Sequence, residues 1–164
     1  MTLLRFFFAC LLLVLSTLSQ AESTYTVSKV YDGDTVELKS INGKFKLRLT
    51  DIDAPERNQA YGQKARRALI KLCKGSDINV NIELTGKDKY NRDLGKLQCN
   101  QTDASVYMAE QGYAWHNEKY SDNFAVKDAA ATARKNRIGL WNAKKPMPPW
   151  VWRRLYGNAY QSAR

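Results

Sequence analysis

Histidine is almost absent. His116 is the only one in 164 residues. A zinc hydrolase draws three or four nitrogen, sulfur or carboxylate ligands around its ion. One histidine and few cysteines do not furnish such a set, and a lone histidine gives little support to histidine-based nuclease or triad chemistry. His116 itself reads as a surface residue. Long apolar runs are missing too. The longest, Phe6 to Leu15, falls short of the roughly 20 residues that a membrane-spanning helix needs. There is no internal repeat, and low complexity is confined to a short tail, "KKPMPPWVWRR". Acidic residues are scarce: 16 against 26 lysines and arginines, for a formal net charge of +10. A chain this basic is expected to seek polyanions such as nucleic acid, anionic cell surfaces or acidic glycans.

The run from Phe6 to Leu15 follows Arg5 and precedes "SQA" at Ser19 to Ala21. A base, a short apolar stretch and small residues together predict a secretory signal peptide over residues 1–21, cleaved after Ala21. A buried N-terminal helix or an uncleaved anchor is the alternative. Residues 22–164 are then an exported, monomeric single domain with no membrane segment and a proline- and tryptophan-rich tail from about residue 143. Two cysteines remain, Cys73 and Cys99. An even count in an exported chain predicts a disulfide between them, two buried free thiols being the alternative.

"TYTVSKV" alternates and is β-branched, so Thr24 to Val30 reads as a strand. "TVEL" and "KFKLRL" follow, separated by Asn42-Gly43, a strong hairpin signal. Phe45, Leu47 and Leu49 share one face of the third strand, and Lys46 and Arg48 share the other. "YGQKARRALIKLC" has helical spacing at Ala65, Ala68, Leu69 and Leu72. "DINVNIEL", with Ile78, Val80, Ile82 and Leu84 facing one way, and "DLGKLQC" are two more strands. Asp103 caps a second helix that ends at Gly112. A third runs through "NFAVKDAAATARKNRIG" to Gly139. The prolines of the tail argue against further helix. Five strands with an intervening helix suit a small Greek-key barrel of the OB-fold class, mainly β with three helices (α+β).

Three stretches carry chemistry. In "KVYDGDTVEL", Asp32 and Gly33 suit a tight turn. Asp34 is harder to explain, because aspartate is depleted at strand starts. In "LRLTDIDAPE", Asp51, Asp53 and Glu56 crowd the end of a strand that carries Arg48. Carboxylate and backbone carbonyl oxygens are what hard cations such as Ca²⁺ take. In "DKYNRDLG", Asn91 suits a turn, and Arg92 brings a guanidinium fork that matches phosphate oxygens. Taken alone, Arg92 reads equally as a surface ion pair with Asp88 or Asp93.

"DGDT", "RLTDIDAPE" and "DKYNR", in that order, resemble the thermonuclease (staphylococcal nuclease-like) family, over about Tyr25 to Trp141. The resemblance implies an OB-fold barrel with three helices, a Ca²⁺ cofactor, and hydrolysis of phosphodiester bonds in DNA and RNA. It implies Asp34, Asp53 and the carbonyl of Ala54 as metal ligands, Glu56 as the residue that activates water, and Arg48 and Arg92 as the phosphate-binding pair. It further supports Lys89 at a terminal phosphate and Tyr90 stacking on a base; Tyr113, Trp115 and Tyr120 are weaker stacking candidates. The sequence departs from the staphylococcal form in three places. "RNQAYG" replaces a longer lysine-rich loop, Asn91 stands where glycine is usual, and Ala54 replaces threonine. Two other readings stay open: a catalytically idle OB module that binds nucleic acid, and a cationic protein that binds anionic surfaces.

Overall fold

The computed structural model describes residues 25–161. The expected signal peptide lies outside the described residues. Strands β1 (Thr26–Val30), β2 (Thr35–Ser40) and β3 (Gly43–Leu49) form the expected meander. Ser40 pairs with Gly43, so the two-residue hairpin loop is Ile41-Asn42, one position earlier than the Asn-Gly signal suggests. Gly43 takes φ 118°, which lets it close the loop.

β4 (Ile52–Asp53), β5 (Val80–Lys87), β6 (Asp93–Cys99) and β7 (Thr102–Asp103) follow, and β8 (Trp115–His116) pairs with β4. The long strands lie in the order β1-β2-β3-β6-β5, with β3 and β6 parallel and the other neighbours antiparallel. This mixed sheet curls without closing into the expected barrel. Its edges β1 and β5 meet at a bridge between Tyr25 and Val80 rather than along a continuous ladder. The expected apolar face of β5 also fades outward: Val80 is buried, whereas Leu84 is exposed beside a bulge before Gly86.

Alternation places Val36, Leu38, Leu47, Leu49 and Leu97 inward. Helix α1 (Gly62–Cys73) adds Ala65 and Leu69, and α2 (Ala104–Glu110) adds Met108. Asp103 caps α2 by accepting from the amides of Ser105 and Val106. Gly112, at φ 63°, ends it as expected. Cys73 and Cys99 are bonded, with Cα atoms 5.2 Å apart, joining the end of α1 to β6. A closed loop of this length constrains the unfolded chain by about 3–4 kcal/mol on the chain-entropy account.

Two helical expectations need correction. Helix α3 (Phe124–Lys135) stops short of Gly139, because Arg137 turns to φ 55° and the Ile138 amide bonds back to the Ala133 carbonyl. The tail is also not free of helix. Among the described residues there are four α-helices rather than three, and the fourth, α4 (Pro149–Gln161), begins inside the proline-rich stretch. Pro149 occupies the first helical position, where its missing N–H costs nothing and its fixed φ suits the turn.

α4 is docked rather than free. Trp150 meets the edge of Trp115 at 6.3 Å, and buried Gln59 donates to the Met147 carbonyl at 2.6 Å. His116 is not the surface residue expected: its two ring nitrogens are shielded from solvent and have no hydrogen-bond partner among the described residues.

Candidate active site

β-Pairing brings the first two motifs together. Thr35 pairs with Arg48, and the Leu49 amide donates to the Asp34 carbonyl at 2.8 Å. Asp34, one residue before β2, therefore lies beside the end of β3. Its carboxylate accepts from the Ala54 amide at 2.6 Å and from the Thr35 hydroxyl at 3.0 Å. Gly33 has a reason other than the turn geometry expected of it, since its φ is not positive. A Cβ there would lie 2.7 Å from that of Ala54 and 2.8 Å from that of Ala65. The glycine lets the first motif press against the second and against α1.

Arg48 bridges the two aspartates. It pairs with Asp34 Oδ1 through one nitrogen and with Asp53 Oδ1 at 3.0 Å through the other. Asp34 and Asp53 are each only 5% exposed. Burial pushes the Asp34 carboxyl up to about 7, although Arg48 pulls the other way. Burial also disfavours the Arg48 cation, but Asp34 and Asp53 outweigh it and hold its guanidinium above the ordinary arginine range.

Glu56 sits on the loop after β4. Its amide donates to the Gln59 side chain at 3.0 Å. Its carbonyl presses on Gly62, where a Cβ would fall 1.8 Å away, so the Glu56 loop is seated against the first turn of α1. Asp51 takes no part in this group. It accepts from Ser121 at 2.7 Å and Asn123 at 2.9 Å and anchors the entry to α3.

Sequence reasoning missed Arg153. From α4 its fork binds Asp53, Oδ1 at 3.1 Å and Oδ2 at 2.7 Å, and reaches Glu56 Oε1 at 3.0 Å. Two guanidiniums, Arg48 and Arg153, thus tie Asp34, Asp53 and Glu56 into one cluster. The one available signal was Pro-Pro-Trp read as a helix start, which places Arg153 within the following turn.

The third motif forms the opposite wall. The turn between β5 and β6 is closed by Asp88, which accepts from the Tyr90 and Arg92 amides and from the Arg92 side chain at 2.7 Å. Partial burial works against the Asp88 carboxylate, but these hydrogen bonds prevail and hold it below its usual range. Asn91 takes φ 58°, the conformation glycine would otherwise supply. Tyr90 is 68% exposed, with Lys89 and Arg92 over its ring. Between the walls runs a cleft of about 1510 Å³ lined by Asp34, Arg48, Glu56, Tyr90, Arg92 and Arg153. Small-molecule sites hold about 300–1,000 Å³, so this cleft suits an extended ligand. Of the weaker stacking candidates, Tyr120 borders the cleft, while Trp115 packs between Trp141 and Trp150.

The donor set fits a hard cation. Two buried carboxylates, the oxygen type that hard cations take, face each other across Arg48; Arg48 and Arg153 engage three of their oxygens, and a cation would compete with those guanidiniums. Among the described residues no three metal-type side chains converge on one point. The protein would therefore supply the carboxylates of Asp34 and Asp53 with the Ala54 carbonyl, and water would complete the shell, as is usual for oxygen-seeking cations.

Comparison with known proteins finds relatives named as nucleases. The family described as staphylococcal nuclease homologue matches residues 46–143. An uncharacterized endonuclease of Haemophilus influenzae is 38% identical over 142 residues, covering 86% of this chain and 79% of its own. A micrococcal nuclease of Shigella flexneri is 31% identical over 167 residues, covering 95% of each chain. A probable staphylococcal-like nuclease of Oryza sativa is 35% identical over 111 residues, 68% of this chain and 33% of its own. By the extent of these matches the chain belongs to the staphylococcal nuclease homologue family, the thermonucleases.

Proposed function

We propose that this protein is an exported, Ca²⁺-dependent nuclease that hydrolyses phosphodiester bonds of DNA and RNA. The observation that carries the reading is the cluster in which Arg48 joins Asp34 to Asp53 and Arg153 joins Asp53 to Glu56, beside a cleft of about 1510 Å³. Relatives named as nucleases and endonucleases support it. The apolar run from Phe6 to Leu15 supports export.

Attack on a phosphodiester builds negative charge on the phosphoryl oxygens. Arg48 offers fixed positive charge where that charge develops. Glu56 is 24% exposed on its side chain and borders the cleft, so it can take a proton from a water beside the phosphate. Asp34 and Asp53 would hold the cation, which supplies Lewis-acid stabilisation when bound. Tyr90 and Lys89, on the opposite wall, suit a base and a phosphate of the same strand.

The test is incubation of the purified protein, without its first 21 residues, with DNA and RNA in the presence of Ca²⁺ or EGTA. Cleavage with Ca²⁺ and none with EGTA is expected. Undiminished cleavage in EGTA removes the cation from the site. Binding without cleavage under any divalent cation makes the protein a nucleic-acid-binding module instead.

A further inference from the structure

The family match ends at residue 143. α4, beyond it, nevertheless sends Arg153 into the catalytic cluster. We infer that Arg153 is a phosphate-binding residue of the cleft, contacting the strand from the Asp53–Glu56 side. The inference rests on the nuclease reading above.

A guanidinium has five N–H donors. Arg153 uses three, on Asp53 and Glu56. Its Nε and one Nη2 hydrogen have no hydrogen-bond partner among the described residues, and 44% of its side chain is exposed at the cleft. Arg92, the arginine expected to pair with Arg48 at the phosphate, instead directs both its Nε and its Nη2 at Asp88. Both arginines keep spare donors, three on Arg92 and two on Arg153, so it is position, beside Asp53 and Glu56, that favours Arg153.

Charge balance points the same way. With Asp34 ionised, three carboxylates against Arg48 and Arg153 leave one negative charge. A divalent cation would turn that into a single positive charge, which matches one phosphodiester. Without Arg153 the floor would be neutral with the cation and would carry two negative charges in EDTA, so Arg153 favours a phosphate in either state. A helix latch alone would need only Asp53; the reach to Glu56 aligns the fork with both groups that frame the reacting centre.

The alternative is a structural latch holding α4, and salt dependence separates the two. Binding of a single-stranded DNA oligonucleotide is measured by fluorescence anisotropy across a salt series, in excess EDTA so that no strand is cut. Removing one cation from the phosphates lowers the slope of log K against log salt by about 0.7 for single strands. Arg153→Gln is expected to show that drop with its near-ultraviolet circular dichroism intact. Arg153→Lys, which keeps the charge, is expected to keep the slope. An unchanged slope in folded Arg153→Gln overturns the inference.

If Arg153→Gln does not fold, Arg153→Lys decides through single-turnover cleavage with Ca²⁺. An ammonium lacks the planar fork that holds Asp53 and Glu56 while presenting a donor to phosphate, so a loss of about tenfold or more is expected at an unchanged melting temperature, less than the roughly 10²–10³-fold cost of removing a transition-state donor outright because the charge is kept. Wild-type cleavage by that variant overturns the inference. A wild type that cuts nothing sinks the nuclease reading, and the salt slope still decides whether Arg153 touches phosphate.

Discussion

Arg48 and Arg92 line the same cleft, yet each is held differently. Arg48 is 13% exposed on its side chain and bridges two aspartates from different motifs, so its charge is balanced by the tertiary fold. Arg92 is 34% exposed and pairs with Asp88, four residues back in the same turn. One wall assembles charge in a dry interior, where removing a partner leaves an uncompensated ion. The other assembles it locally, at the edge of water, where solvent can replace a missing partner. The floor is accordingly suited to fixed chemistry and the turn to grip.

Catalysis gives the sharpest test of that contrast. Glu56→Gln keeps its shape but cannot take a proton. Single-turnover cleavage is expected to fall by about 10²–10⁴-fold, the usual worth of a positioned general base, with oligonucleotide affinity preserved. Tyr90→Ala, on the turn, is expected to do the reverse. It should cost about 1–3 kcal/mol of affinity if one base stacks there and leave the rate of the bound strand unchanged. Equal effects of the two substitutions on rate would erase the distinction between the walls.

Stability gives the next. Arg48→Ala strands buried carboxylates and is expected to lower unfolding free energy by about 3–5 kcal/mol, as breaking a buried pair does. Arg92→Ala is expected to cost at most about 1 kcal/mol, as for exposed pairs. Urea unfolding of both variants measures the difference, and similar midpoints would contradict it.

The smallest expected effect is in pH. Asp34 has its carboxyl raised to about 7 by burial. A raised carboxyl binds its proton more tightly folded than unfolded, so its contribution to stability is complete below about pH 4, declines as pH rises, and levels off above about 7. Asp34→Asn lacks this contribution. In chelated protein, the melting temperature of the wild type relative to that variant is expected to fall between these limits and then stay level. A constant difference would mean that Asp34 is not held in its raised state.

Much of this was legible because it is written locally. The meander followed from the β-branched run to Val30, the hairpin signal at Asn42-Gly43 and alternation at Phe45, Leu47 and Leu49. Asp103 and Gly112 marked both ends of α2 by their own side-chain and backbone chemistry. Asp34, Arg48, Asp53 and Glu56 were recognisable as motifs, and strand pairing then brought them together. What stayed hidden depends on distant surroundings. Gly33 looked like a turn residue, and only the approach of Ala54 and Ala65 shows that it is there for space. The end of α3 depends on Arg137, a residue with no special left-handed preference. The sheet was expected to close, but sequence alternation says nothing of how far two edge strands overlap. Arg153 was invisible because its partners lie up to 100 residues earlier in the chain.

That last separation has a consequence for how the protein is made. Chains emerge from their N-terminal side at about 5–20 residues per second. Asp53 and Glu56 are therefore in place long before Arg153 is synthesised. A nascent chain can build its sheet, bury its apolar core and pair Arg48 with Asp34, and still lack the clamp across Asp53 and Glu56. The cluster reaches its final arrangement only when the segment carrying Arg153 has been completed and folded back onto the floor of the cleft.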